Sequence, residues 1–109
     1  MKDLIIDLEL GKKLVGNETL AKELLTMLVK DLPLEFALIE KTFLDKDYAE
    51  TIRYLHKLRG ALSYCGVPRL KTATLQLEHG LQKNQPDVDV CFMTFKVEVE
   101  LLLKRSFSY

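Results

Sequence analysis

Phe95-Lys96-Val97-Glu98-Val99-Glu100-Leu101 is the stretch on which the fold turns. Its alternation of apolar and charged residues, with two valines, has the two-residue period of a half-buried strand. A wider window gives a different period. Val88, Phe92, Phe95, Val99, Leu102 and Ser106 recur at steps of four and three, the spacing of one helix face. Nothing else in the chain offers a strand for this segment to pair with, so the helical period is taken and an all-α fold follows.

Asp87 caps this last helix, and Asn84-Gln85-Pro86 ends the stripe before it, Leu70, Ala73, Thr74, Leu77 and Leu81. Pro68 suits the first turn of that helix, where an N–H would be unpaired anyway, and Gly66 reads as the left-handed residue closing its predecessor. The predecessor opens at the capping pattern Asp47-x-x-Glu50 and is expected to run to about Cys65. Further back, Asn17 caps a helix from Glu18 to Asp31 with the stripe Leu20, Ala21, Leu24, Leu25, Met27 and Leu28. Pro33 is expected to break or kink the chain, which resumes through Phe36, Ile39 and Phe43 and ends near Asp45. Residues 4–15, closed by Gly16, read as a short helix or a turn plus helix that lids the rest. Short loops make successive helices antiparallel, so the expected architecture is an up-and-down four-helix bundle with a short extra N-terminal helix, one domain over residues 1–109.

Composition narrows the function. The 109 residues are 48% hydrophobic and 29% charged, which suits a globular domain with one core. Sixteen basic residues balance sixteen acidic ones, so the basic excess of a nucleic-acid partner is missing. Two cysteines, Cys65 and Cys91, and two histidines make no zinc pattern, and both thiols are expected reduced and mostly buried. The opening Met1-Lys2-Asp3-Leu4-Ile5-Ile6 is too short an apolar run for a signal peptide, and no run reaches the ~20 residues of a membrane span. A cytoplasmic domain without direct membrane contact is expected, even where a parent protein is anchored in the inner membrane.

The chemistry gathers on the central helix. Ile52, Leu55, Leu58, Leu62 and Cys65 form its apolar stripe, and at about 100° per residue His56 lies on the flank of that stripe, bordering solvent. Ala49, Ile52, Gly60 and Ser63 share the flank, and three of these are small. Gly60 sits mid-helix, where glycine costs about 1 kcal/mol against alanine; clearance above the imidazole is a reason for it. Arg53 and Arg59 stand one turn away on either side, able to meet incoming negative charge. On the next helix Glu78 holds a matching flank position from which a carboxylate accepts the His56 Nδ1–H and leaves Nε2 unprotonated and nucleophilic. A lone surface histidine ordinarily has no chemistry, and His79, with no small residues around it, is read as solvated. It is the combination around His56 that carries weight.

That combination, His56-x-Leu58-Arg59-Gly60 with Gly66, Leu70 and a downstream Leu77-Glu78, resembles the signature of the histidine phosphotransfer (HPt) family. The run Tyr64-Cys65-Gly66-Val67-Pro68-Arg69 is most similar to the HPt domain that ends hybrid sensor kinases of the BarA/GacS type. The resemblance implies that His56 is the phosphoacceptor, that Arg59, where the family usually has lysine, stabilises the phosphoryl charge, that Gly60 gives clearance and that Glu78 orients the ring. Leu55 and Ala61 depart from the family's usual alanine and serine. It further implies a phosphocarrier without its own ATP site or cofactor, acting as a monomer between the receiver domains of a hybrid sensor kinase and of a response regulator, with Mg²⁺ on the receiver. Docking is expected at Ile52, Arg53, Lys57 and Ser63, with help from Ile6, Leu10 or Leu14. Two other readings compete: an adaptor bundle that binds a partner through the His56 face without chemistry, and a kinase dimerisation domain, against which the missing nucleotide module counts.

Overall fold

A computed structural model describes residues 4–106, and among them the regular structure is all helix: α1 Leu8–Val15, α2 Glu18–Leu44, α3 Tyr48–Leu62, α4 Pro68–Gln82 and α5 Val88–Ser106. The disputed stretch lies inside α5. Phe92, Phe95, Val99 and Leu102 are all buried, so the four-and-three period governs. The Ser106 side chain lies outside the described residues, as do residues 1–3 and 107–109.

Helices α2, α3, α4 and α5 pack in sequence, α5 returns against α2, and α1 lies on α2. Their inward residues make one apolar cluster centred on Leu32, Ile39, Leu55, Leu62, Leu77 and Phe95. An aromatic stack locks the closing contact: Phe43 lies flat on Phe92 with centroids 4.3 Å apart, and Phe36 meets Phe95 at 5.9 Å. Cys65 and Cys91 are free thiols, both pushed above the usual range chiefly by burial. No helix among the described residues is long and apolar enough to cross a membrane.

The caps at Asn17 and Asp47 fall where expected. The Leu20 N–H donates to Asn17 Oδ1 at 2.9 Å, and the Glu50 N–H to Asp47 Oδ1 at 3.4 Å. The reciprocal half of the capping box is absent, because Glu50 pairs with Arg53 while the Asp47 N–H goes to the Thr42 carbonyl.

Three expectations are corrected. First, α2 runs unbroken through Pro33. Proline deletes one backbone hydrogen bond there, yet Leu28, Leu32, Ile39 and Phe43 stay buried on one face, and that packing carries the helix past the missing rung. Second, Leu20 and Met27 point outward, not into the core. Third, α3 stops at Leu62, three residues early, and Gly66 is not left-handed; among the described glycines only Gly16, closing α1 at φ 77°, is. Gly66 is needed for close approach instead. The Asp7 N–H donates to its carbonyl at 2.6 Å, and a Cβ on Gly66 would collide with the Asp7 carbonyl oxygen and lie 2.8 Å from the Gly11 nitrogen. Gly66→Ala is therefore expected to push α1 off the bundle and lower stability by about 1–3 kcal/mol, read as a lower urea midpoint.

Candidate functional site

His56 stands on the solvent side of α3, one residue beyond Leu55, which anchors the helix in the core. Its side chain is 67% exposed. One turn on, nothing lies within 4 Å of where a Gly60 Cβ would be, so the surface beside the ring is open. Ala49 is also exposed, whereas Ile52 is half-buried against the core.

Beneath the ring, α4 supplies Glu78, its side chain only 4% exposed. Its Oε2 is 3.4 Å from His56 Nδ1, and its Oε1 faces Arg59 Nε at 3.6 Å with no hydrogen bond of its own. Burying a carboxylate is costly unless it is paired, and Arg59 is the counter-charge that holds it. Arg59 also reaches the ring, with Nη2 2.8 Å from Nδ1. Guanidinium only donates, so this contact requires a lone pair on Nδ1 and puts the ring proton on Nε2. The Glu78 contact requires the opposite tautomer. Nδ1 cannot serve both, and the shorter Arg59 contact takes precedence over the orienting bond expected from Glu78 alone. Arg59→Ala should therefore move His56 toward the Nδ1–H form and Glu78→Gln should move it away, read from long-range ¹H–¹⁵N couplings of the imidazole.

Arg53 does not join the site. It makes a two-pronged contact with Glu50 at 2.7 and 3.0 Å and lies over the Tyr54 ring. Ser63 turns its hydroxyl back onto the Arg59 carbonyl at 3.0 Å, and Lys57 is exposed on the α2 side of the helix. Of the N-terminal residues expected to help docking, Ile6 is buried in the core, while Leu14 is open. His79 is exposed. Among the described residues no cluster of His, Cys, Asp and Glu is arranged to hold a metal ion.

A groove between α2 and the end of α3 is not among the expectations from sequence. Leu24, Met27 and Leu28 of α2 face Ala61, Tyr64 and Cys65 across a shallow apolar cleft of about 160 Å³, with Asp31 and Glu35 at its edge. Burial, then the neighbouring Asp31, raises the Glu35 pKa, and Lys57 partly offsets the rise. The exposed Met27 and Tyr64 are the signal: both are large apolar side chains that the core does not take up.

A family model described as "Hpt domain" matches residues 23–106. Among curated proteins, the Sensor protein GacS of Pseudomonas syringae pv. syringae is 31% identical over 107 residues, covering 91% of this chain and 12% of that protein. The Signal transduction histidine-protein kinase BarA of Escherichia coli strain K12 is 28% identical over 79 residues, 72% of this chain and 9% of that protein. The chain thus spans about a tenth of the length of these relatives. No solved structure matches significantly.

Proposed function

The chain belongs to the histidine phosphotransfer (HPt) family, and on that premise we propose that His56 takes a phosphoryl group from the aspartate of one receiver domain and hands it to the aspartate of another. What supports this reading is an exposed imidazole with open space at Gly60, Glu78 buried beneath it and Arg59 beside it. Nε2 attacks the phosphorus of the aspartyl phosphate; the N–P bond forms as the bond to the carboxylate oxygen breaks, and the receiver's aspartate leaves as a carboxylate. The Nδ1 proton stays on the ring, so the product carries a positive imidazolium, which the Glu78 carboxylate neutralises.

Arg59 gives this sequence its trigger. In the resting arrangement it occupies Nδ1 and keeps Nε2 protonated. A phosphoryl group, with charge spread over three oxygens, is a stronger partner for guanidinium than an imidazole lone pair. As Arg59 turns to it, solvent water takes the Nε2 proton and delivers one to Nδ1, the new Nδ1–H donates to the Glu78 carboxylate, and the Nε2 lone pair opens toward the phosphorus. Mg²⁺ belongs on the receiver in this scheme, and no ATP is needed.

The receiver docks on the open face of α3 around His56 and Gly60 and extends an apolar surface into the groove between Met27 and Tyr64. Lys57 lies within that footprint; Ile52, Arg53 and Ser63 border it. The membership and the kinase relatives favour a place in a hybrid kinase relay on the cytoplasmic side of the inner membrane. To test the reading, a receiver domain phosphorylated with acetyl phosphate is mixed with the chain in Mg²⁺. Acid-labile, base-stable phosphate is expected on the chain, mapped to His56 by mass spectrometry. A complex that forms without any transfer would favour the adaptor reading.

A further inference from the structure

The outer face of α5 is apolar and unpartnered. Val90, Met93 and Val97 are 65%, 55% and 47% exposed, and the half-buried Leu101 continues their line. Single exposed apolar residues are commonplace, but these recur at three and four along one helix face. The ends of the stripe carry opposite charge: Asp87 and Asp89 at the start, Lys104 and Arg105 at the end. None of the four has an ion pair among the described residues.

We infer that this face joins two copies of the chain as a two-fold symmetric, antiparallel α5–α5 pair centred on Val97. The charge pattern selects that occupant. Asp89 lies eight residues before Val97 and Lys104 seven after it, so at 1.5 Å per residue both are about 11 Å from the centre. A two-fold axis reverses the helix and brings the same edge of each stripe together. Asp89 then meets Lys104 of the other copy along one edge, and Asp87 meets Arg105 along the other, twice each by symmetry. Met93 and Leu101 cross beside the central pair of valines. A parallel pairing would instead set acid on acid and base on base. Such an isologous contact closes on itself.

The interface is small, one helix face per copy, well below the roughly 800 Å² per partner of a standard complex, so the dimer is weak and forms at high concentration or when copies are held together. It also leaves the relay face alone. Helix α5 packs on α2 and α4 but not on α3, so His56 points away from the contact in both copies.

Sedimentation equilibrium from about 20 μM to about 1 mM, a range that covers weak association, should show the mass rising from 12.6 kDa toward twice that value. Val97→Asp should hold the chain at the monomer mass with an unchanged circular dichroism spectrum. Asp89→Lys and Lys104→Asp should each weaken the dimer, and the double swap should restore it. A wild type that stays monomeric at 1 mM, the state expected from the sequence, overturns the proposal. So does a dimer that survives Val97→Asp and is lost with Met27→Asp, which would place the contact at the groove instead.

Discussion

His56→Gln is expected to abolish phosphoryl uptake from a phosphorylated receiver, a loss of at least about a thousandfold, while His79→Gln leaves it at the wild-type level. A glutamine amide keeps polar atoms near Arg59 and Glu78 but has no lone pair basic enough to attack phosphorus, so the covalent route is removed and not merely slowed. The histidine side chain is 67% exposed and fills no part of the core, so the variant should keep its unfolding free energy within about 0.5 kcal/mol, the usual range for a surface change. That separation matters, because a protein that had simply unfolded would also fail to take up phosphate. Phosphate retained on the variant, or its transfer to His79, would remove His56 from the role.

The fold was legible where two local signals agreed. Asn17 and Asp47 mark helix starts because an N-cap is a local event, satisfied within three residues. The α5 period was legible because Phe92, Phe95, Val99 and Leu102 outweigh the short alternation around Val97, and Val97 and Glu100, which helped it look like a strand, lie on the solvent face of the same helix. What could not be read were effects of distant parts. Pro33 has the local chemistry of a helix breaker, and only the burial of Leu32 and Ile39 on either side keeps α2 whole. Gly66 has the local chemistry of a helix stop, but what requires glycine there is the Asp7–Gly11 backbone, more than fifty residues earlier in the chain. Met27 fits the α2 period yet faces solvent, since period alone does not say how wide the buried stripe is.

At the site, the same distinction separates position from bonding. His56, Gly60 and Arg59 share one helix, so their mutual placement followed from 100° per residue. Glu78 was placed by the antiparallel turn at Gly66 and does lie beneath the ring. Side-chain competition is a different matter. Whether Arg59 would bind the imidazole, the carboxylate or neither depends on rotamers that no spacing fixes, and it binds both. Arg53, its mirror image in sequence, is lost to Glu50 because a carboxylate stands three residues before it.

Gly60→Phe should cut transfer from the receiver by at least about a hundredfold, the scale of loss when reacting groups are held an ångström or more out of line, with stability little changed. Nothing lies within 4 Å of a Cβ at this position, and the residue is exposed, so a side chain there disturbs no packing. Alanine at the same place should stabilise the helix by up to about 1 kcal/mol, the opposite sign from alanine at Gly66. A phenyl group four residues after His56 lies on the same face of the helix, in the space through which the proposed transfer brings a receiver's aspartate in line with Nε2. The block should therefore depend on the size of the donor. Phosphoramidate, a small phosphodonor, should label His56 in the variant as fast as in the wild type, because it does not need the docked surface. Loss of labelling by both donors would mean that the phenyl disturbs the ring itself. Undiminished transfer from the receiver to a folded Gly60→Phe variant would mean that the open surface beside His56 serves no approaching partner.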